Sequence, residues 1–390
     1  MKAVVFGAGK IARGFIGQLL DLSSYEITFI DANKELVNAL REAGKYSVHI
    51  LGDSSKDSVI EGFDIFHVSE SGEIARAMKQ ADIMFVSVGG NGLKHVGQMI
   101  GELLSTHAGL DHQVSLITCE NVKDAAAILA ASLYEKLSES EAENVKQLLG
   151  ITEAVVLRTA TIPSEELQVA EPLSIWVQNY WNIPVDKARY KGKEPAIKGL
   201  ELIDGFGNLL TQKMYTNNTS NAVIAYNGHL FGYEILSEAA RSPEVSQLLD
   251  AVYPEINAIL IKSLGISPES QHLFSENARK KYEDPIIVDR VVRHAKDPIR
   301  KLGPNDRLIG PARLGLANGI TPHTIVDTIA KALYYDEESD EESKQLKAMR
   351  HEKGMDYVLE TVCGLEPEEP LFRLIKEQIA LLKQQGVLHD

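Results

Sequence analysis

The sequence contains little cysteine: among its 390 residues there are only Cys119 and Cys363. Two cysteines cannot form the disulfide framework of a small secreted domain, and no Cys/His spacing resembles a zinc site, so we expect no bound metal. The sequence also lacks any apolar run close to the roughly 20 residues that a membrane-spanning helix needs. Lys10 and Arg13 interrupt the apolar stretch that a signal peptide would require. These absences predict a protein of the reducing cytoplasm.

Positive charge is in deficit as well. There are 40 Lys and Arg residues against 55 Asp and Glu residues, which gives a net charge of −15. Long-range repulsion of this sign argues against DNA, RNA or an anionic membrane as a partner, although a local basic pocket can still bind a small phosphorylated molecule. Apolar residues make up 44% of the chain, as in ordinary globular proteins. We therefore expect a monomer or small homo-oligomer that binds a small molecule.

The most informative stretch is VVFGAGKIARGFIG, from Val4 to Gly17. An apolar strand ends at Gly7-Ala8-Gly9, and a helical pattern follows. Gly7 permits a tight turn, Gly9 allows the backbone to approach a pyrophosphate, and Ala12 is small enough for close packing of helix on strand. An ordinary strand-to-helix turn is the alternative. The residues expected to contact the cofactor are Val5, Phe6, Gly7, Ala8, Gly9, Lys10, Ile11 and Ala12.

An acidic residue supports the dinucleotide interpretation. The next predicted strand, 26–30, is followed by Asp31, which stands 22 residues after Gly9. A carboxylate there binds the ribose hydroxyls and repels a 2′-phosphate, which favours NAD over NADP. Ala32 follows and is expected to lie beside the cofactor.

Further strands are predicted along the first half of the chain. Apolar alternation in 46–51 and 59–68 suggests an antiparallel ribbon. Buried parallel strands are predicted at 81–88 and 114–118, and in such sheets ligands lie at the carboxyl ends of the strands. Val88 and Gly89 are therefore assigned to the cofactor, and Asn121 to cofactor or substrate. Asn121 could equally be the N-cap of the helix that it precedes.

The pattern changes after a Pro/Gly-rich, basic stretch at 184–199. Beyond it, helical patterns follow one another at 203–216, 218–240, 244–264, 268–282, 311–317, 321–336, 340–362 and 367–385. The expected fold is therefore α/β, with a Rossmann-type doubly wound domain at 1–195 that binds NAD and a mainly α-helical domain at 196–390 that carries substrate and catalysis.

A second polar cluster lies at 212–221, between two apolar helical patterns. At about 100° per residue, Lys213, Asn221 and Asn218 share one half of a helix surface. A buried lysine with a lowered pKa can accept the proton of an alcohol while a hydride leaves, and amides can hold the reacting oxygen. The alternative is a helix N-cap at Asn218 or Thr219, with Lys213 exposed to water.

These motifs resemble the polyol-specific long-chain dehydrogenases, the mannitol dehydrogenase family. The resemblance spans nearly the whole chain and rests on FGAGKIARGFIG, Asp31-Ala-Asn33, Val86-Ser-Val-Gly89, Cys119-Glu120-Asn121, the Lys-x4-Asn element at Lys213, Arg300-Lys-Leu302 and Asp306-Arg-Leu308. It implies that Lys213 is the general base and that Asn218, with Asn121, steadies the reacting oxygen. It also implies NAD-dependent interconversion of a polyol or polyol phosphate and its ketose, in particular D-mannitol 1-phosphate and D-fructose 6-phosphate.

The sequence departs from the family pattern at two positions. Asn221 replaces the histidine of Lys-x4-Asn-x2-His, and Leu157 replaces an aspartate. Asn221 can still hydrogen-bond a polyol, but it cannot transfer a proton. His229, further along the same predicted helix, is either a partial substitute or a structural residue.

The basic residues nominated for a substrate phosphate are Arg300, Lys301 and Arg307, because guanidinium groups bind phosphate bidentately. Salt bridges between helices are the alternative role for these cations. Two other functions remain open at this point: reduction of a hexuronate or another keto acid, and sensing of NAD(H) with little turnover.

Overall fold

The computed structural model describes residues 1–107, 109–122, 124–161, 165–286 and 288–389. The chain forms two compact units, Met1–Phe206 and Gly207–Asp390. This division lies after the expected boundary at 195, because strand Leu200–Ile203 pairs with strand Ile183–Asp186 and so stays with the first unit.

The first unit is built on a six-stranded parallel sheet. In spatial order its strands are Asp64–His67, Glu26–Asp31, Lys2–Phe6, Ile83–Val86, Val114–Thr118 and Leu149–Glu153. Numbered along the chain, the order is 3-2-1-4-5-6, the dinucleotide-binding arrangement whose crevice lies where the strand order reverses. The reversal occurs at Lys2–Phe6, which pairs with Glu26–Asp31 on one side and Ile83–Val86 on the other.

Helices cover both faces of this sheet. Alternate residues of the first strand enter different apolar clusters, Val5 with Phe15 and Phe29, and Val4 with Ile74 and Met84, as expected for a strand buried on both sides. The helical segments of this unit are Ala12–Gly17 (a π-helix), Gln18–Asp21, Lys34–Ala43, Ser54–Lys56, Ser71–Gln80, Gly90–Gly92, Leu93–Thr106, Ala125–Tyr134, Glu139–Leu148 and Glu165–Ala170.

Two smaller sheets complete the first unit. One has the strand order Ser58–Glu61, Lys45–Ile50, Ile175–Val177, Ala160–Thr161, and the other pairs Ile183–Asp186 with Leu200–Ile203. The predicted ribbon is right for Lys45–Ile50 and Ser58–Glu61, which pair antiparallel. It is wrong for Asp64–His67, which instead pairs parallel with Glu26–Asp31 at the edge of the main sheet.

The second unit is helical around one large apolar core. The predicted helix at 218–240 is two helices, because 231–235 is not helical. The helical segments are Phe206–Lys213, Met214–Asn218 (a π-helix), Thr219–Leu230, Leu236–Arg241, Pro243–Leu264, Pro268–Glu283, Val291–Ala295, Pro298–Lys301, Ile309–Ala317, His323–Leu333, Glu341–Thr361 and Pro370–Gln384.

Candidate active site

The glycine turn follows the first strand directly. Gly7 has a φ of +101°, and a Cβ there would lie 2.1 Å from the carbonyl oxygen of Ser87, so no other residue fits without moving the backbone. A Cβ at Gly9 would meet no protein atom within 4 Å. The glycine at this second position is thus not required by packing, which fits the close approach of a pyrophosphate.

The helix after the turn is held by a buried arginine. Residues 12–17 are π-helical, a form that is often found at functional sites. Arg13 is buried, donates from Nε to the carbonyl of Ala8 at 2.7 Å and also donates to the carbonyl of Leu173. Tyr46 donates its hydroxyl to the carbonyl of Arg13 at 3.1 Å. These contacts fix the turn, and the N-terminus of the helix that follows it is the kind of position at which proteins bind an anion.

Asp31 lies beside this turn, as predicted from its spacing. Its Oδ2 accepts the N–H of Ala8 at 2.6 Å, and its Oδ1 accepts the N–H of Asn33 at 2.8 Å. Each carboxylate oxygen has further acceptor capacity. The carboxylate is therefore fixed by the backbone and can still bind two ribose hydroxyls. Ala32 follows, and its carbonyl oxygen lies 3.1 Å from Nε2 of His67.

Glu120 is a functional candidate that the sequence reasoning did not single out. Its Oε1 accepts the N–H groups of Val88 at 2.6 Å and Gly89 at 2.8 Å. Burial raises the pKa of this carboxyl, while the two backbone hydrogen bonds act in the opposite direction.

Asn121, the next residue, is exposed. It is not the helix N-cap, because the helix begins at Ala125 and Asp124 occupies the N-cap position.

The segment that departs from the family pattern supports the helix that follows the glycine turn. Leu157 is half-buried in a stretch without regular structure, and Arg158 beside it is buried. Arg158 donates to the carbonyl of Gly14 at 3.0 Å and to Oε1 of Gln18 at 2.7 Å, and its guanidinium stacks 4.5 Å from the ring of Trp181. Burial lowers the pKa of Arg158 to about 9.

In the second unit, Lys213 ends one helix and a π-helical segment, Met214–Asn218, follows it. The expectation of regular α-helical spacing was wrong here. A π-turn is closed by i→i+5 hydrogen bonds, so side chains five apart lie about one turn above each other. Lys213 and Asn218 are therefore brought closer to one line than α-helical geometry allows. The predicted helix N-cap at Asn218 does not occur, because the backbone there is helical and the side chain makes no cap hydrogen bond.

A buried polar network supports the π-segment. Gln271, on helix Pro268–Glu283, donates to Oγ1 of Thr216 at 3.1 Å and to Oδ1 of Asn257 at 2.9 Å. The hydroxyl of Tyr282 donates to the carbonyl of Asn217 at 3.0 Å. One neighbouring helix, Pro268–Glu283, thus satisfies polar groups of a segment that α-helical hydrogen bonding alone would not fix.

The environment of Lys213 is cationic. Burial lowers its pKa to about 8, with additional lowering from the charges of Lys281 and Arg307. The pKa of Lys281 is itself lowered to about 8 by burial. Arg307 is 9% exposed, and its carbonyl accepts the hydroxyl of Thr219 at 2.6 Å. Lys281 was missed in the sequence because a lysine pair at a helix end is typical of a solvated terminus.

The three residues nominated for phosphate lie around Asp306 but differ in surroundings. Nε of Arg307 lies 2.8 Å from Oδ1 of Asp306. Arg300 is exposed and pairs with Asp297 at 3.4 Å and with Asp306 at 3.8 Å. Lys301 is 4% exposed, and its ammonium donates to the carbonyls of His294 and Lys296. Burial lowers its pKa to about 7, and Arg307 and Arg300 add to the shift.

Asn221 contacts an imidazole from another helix. Its Nδ2 lies 2.9 Å from Nδ1 of His294, whose Nε2 lies 2.8 Å from Oδ2 of Asp289. His229, the histidine considered earlier, instead packs edge-on against Tyr335, with ring centroids 4.7 Å apart. The structure therefore places the ring of His294, and not that of His229, against Asn221, the residue at the family's histidine position.

Comparison with known families decides the classification. The model of the mannitol dehydrogenase Rossmann domain matches residues 1–199, and that of the mannitol dehydrogenase C-terminal domain matches residues 208–382. The chain belongs to the mannitol dehydrogenase family. The resemblance and the fold class predicted from the sequence are thereby confirmed.

Relatives within the mannitol dehydrogenase family match over their full length. The chain is 33% identical to mannitol-1-phosphate 5-dehydrogenase of Bacillus subtilis (strain 168), over 97% of this chain and 100% of that protein. It is also 33% identical to the enzyme of the same name from Brevibacillus brevis, over the whole of both chains. Pseudomonas fluorescens mannitol 2-dehydrogenase, solved as a ternary complex with NAD and D-mannitol, shares the fold with a TM-score of 0.76 at 14% identity, over 99% of this chain and 92% of that one.

Two further findings concern the part of the chain that the structure describes. Among those residues, no helix is both long and apolar enough to cross a membrane. In the same residues, no group of three or more His, Cys, Asp or Glu side chains is arranged to hold a metal ion.

Proposed function

We propose that this mannitol dehydrogenase family member oxidises D-mannitol 1-phosphate with NAD⁺ to D-fructose 6-phosphate and catalyses the reverse reduction. The observation that carries the proposal is Lys213, a partly buried amine with a pKa of about 8, placed one π-turn from Asn218. Full-length relatives named mannitol-1-phosphate 5-dehydrogenase support the choice of substrate.

The chemistry assigned to the chain is proton transfer and stabilisation of the reacting oxygen. Neutral Lys213 accepts the hydroxyl proton at Nζ, and the amide of Asn218 donates to the developing alkoxide. Asn121 and Asn221 are proposed as further substrate amides, Asn121 from the family pattern alone. NAD⁺, when bound, accepts the hydride from the carbinol carbon.

The residues proposed to hold the dinucleotide have distinct tasks. The turn at Gly7 and Gly9 meets the pyrophosphate, and Asp31 binds the ribose hydroxyls. Lining residues complete the set: Val5, Phe6, Ala8, Lys10, Ile11, Ala12, Ala32, Val88, Gly89 and Asn121. A 2′-phosphate would face the charge of Asp31, so NAD is proposed over NADP.

For the substrate phosphate we propose Arg300 and Arg307, with Lys301 as a supporting residue beside them. The guanidinium groups can exchange their pairing with Asp306 for a bidentate phosphate contact. The side chain of Lys301 is tied to two carbonyls, so its proposed role is to hold the backbone beside the two arginines.

We place the reaction in the cytoplasm, without nucleic acid or membrane as a partner, and propose a monomer or small homo-oligomer. Both cysteines are free and buried, which is compatible with a reducing compartment. Sedimentation of the purified chain measures the oligomeric state.

The test of the proposal is NADH oxidation by the purified protein with fructose 6-phosphate, unphosphorylated fructose and a hexuronate, with NADPH as the cofactor control. Robust turnover with fructose 6-phosphate and NADH is expected. Preferred turnover of the hexuronate would overturn the substrate assignment. Binding of NADH with no turnover of any of the three would identify a sensor instead.

The pH dependence follows from the lowered pKa of Lys213. The amine must be neutral to accept a proton, so kcat/KM for oxidation should rise with pH and level off above about pH 8, the pKa of the base. Reduction needs the ammonium form and should fall over the same range. Lys281→Met removes a like charge, so it should raise the pKa of Lys213 and move both midpoints to higher pH.

The measurement is kcat/KM in both directions over roughly pH 6 to 10. Lys280→Met, an exposed neighbour on the same helix, is the matched control and should leave both midpoints unchanged. Equal midpoints in wild type and Lys281→Met would show that Lys281 does not act on the base.

A further inference from the structure

A chain of three polar side chains, Asp289, His294 and Asn221, connects the short helix Val291–Ala295 with helix Thr219–Leu230. Nε2 of His294 lies 2.8 Å from Oδ2 of Asp289, and Nδ1 of the same ring lies 2.9 Å from Nδ2 of Asn221. Asp289 and Asn221 are both largely buried, while His294 is partly exposed. Both ring nitrogens of His294 therefore have protein partners.

The order of donors and acceptors in this chain follows from the carboxylate. The hydrogen bond from His294 lowers the pKa of Asp289 against the opposing effect of burial, so Asp289 is an acceptor at neutral pH. It then accepts the proton on Nε2, and in this tautomer Nδ1 is an acceptor. Asn221 must donate to Nδ1 through its Nδ2. The amide oxygen of Asn221, Oδ1, is then the atom that can accept a hydrogen bond from another group.

The neighbours of Asp289 and His294 hold this arrangement in place. Arg293 donates to both oxygens of Asp289, at 3.1 and 3.2 Å, and Leu236 donates its N–H to the Asp289 carbonyl at 2.8 Å. At the other end of the short helix, the ammonium of Lys301 donates to the carbonyl of His294. The ring thus belongs to a segment tied down on both sides.

We infer that His294, held by Asp289, is a positioning residue that orients the amide of Asn221 so that Oδ1 accepts a hydrogen bond from a hydroxyl of the polyol substrate. Asn221 lies in the first turn of helix Thr219–Leu230, which directly follows the π-segment and, before it, the helix that ends at Lys213. The imidazole therefore acts on substrate only through Asn221. This inference rests on the proposed function for its substrate.

Three substitutions of His294 separate orientation from simple packing. Asparagine places a carbonyl oxygen near the former Nδ1 and can keep the contact with Asn221, whereas glutamine places its amide near the former Nε2 and can keep only the contact with Asp289. Leucine keeps neither. We expect His294→Gln and His294→Leu to raise KM for fructose 6-phosphate about tenfold with little change in kcat, the effect of one oriented hydrogen bond. His294→Asn should recover most of that loss.

Steady-state kinetics with NADH, together with thermal unfolding and NADH binding for each variant, make the comparison. A purely structural role predicts that the loss of activity follows the loss of thermal stability, with His294→Asn and His294→Gln equal. That result, or an unchanged KM in all three variants, overturns the inference. The exchange variant Asn221→His/His294→Asn restores an imidazole–amide pair and should have a lower KM than Asn221→His alone.

A readout without turnover keeps this inference separate from the proposed function. In ¹⁵N NMR of the imidazoles, we expect His294 to carry its proton on Nε2 and Asn221→Leu to shift its Nδ1 resonance. A proton on Nδ1, or no shift in Asn221→Leu, overturns the inference. If the wild type shows this tautomer and this shift but does not reduce fructose 6-phosphate, the proposed function fails and the orientation of Asn221 stands.

Discussion

Replacing Lys213 by methionine is expected to lower kcat for the reduction of fructose 6-phosphate by about 10²–10⁴-fold, the usual contribution of a positioned acid or base. Methionine is similar in length and can fill the same space, so NADH binding should be unchanged. Lys213 lies among the charges of Lys281 and Arg307. Removing a partly buried like charge relieves this repulsion, so the variant should remain folded.

The measurement is single-turnover and steady-state NADH oxidation, with calorimetric unfolding of the same samples. Lys280→Met serves as the control, because Lys280 is exposed on helix Pro268–Glu283 next to Lys281. It should leave kcat unchanged. If Lys213→Met keeps more than about a tenth of wild-type kcat, a loss smaller than general-base removal gives, Lys213 is not the base.

Local chemistry made the geometry around the glycine turn predictable. The glycine turn and Asp31 depend on neighbours within one strand–helix–strand unit, and the hydrogen bond from the N–H of Ala8 to Asp31 joins two positions inferred from spacing alone. The doubly wound fold class followed from the alternation of buried strands and helices, which leaves few topologies open.

The errors came from long-range pairing. Strand Asp64–His67 has the same alternation as its ribbon neighbour. It nevertheless pairs with Glu26–Asp31 and forms the edge of the parallel sheet. The π-segment at Met214–Asn218 depends on Gln271 and Tyr282, which lie more than 50 residues later. The spacing of apolar residues within the segment cannot reveal a hydrogen-bond partner that lies so far along the chain.

The same limit explains why His294 and Lys281 were not predicted. Each comes from a later helix to the segment between Lys213 and Asn221, and neither stands in a recognisable motif. The departure at Asn221 was visible in the sequence, but its structural counterpart was not. The amide of Asn221 replaces the family's imidazole, and only the structure shows that the ring of His294, on a neighbouring helix, lies against it.

Asp31→Asn is expected to change cofactor preference by about a hundredfold towards NADPH. The amide keeps one acceptor oxygen for the backbone of the turn but loses the charge. Charge-assisted hydrogen bonds to the ribose become neutral ones, which should weaken NADH binding about tenfold. Repulsion of a 2′-phosphate disappears at the same time, which should strengthen NADPH binding by a similar factor.

Equilibrium binding of both dinucleotides, followed by fluorescence quenching, tests this without any assumption about substrate. Asp64→Asn is the matched control: Asp64 is an exposed carboxylate on the adjacent strand, but it stands at the opposite end of that strand from the glycine turn. It should not alter the ratio of the two affinities. A ratio that is equally unchanged in Asp31→Asn would mean that the carboxylate serves only the N–H groups of Ala8 and Asn33. Cofactor choice would then have to come from other residues at the ends of the strands.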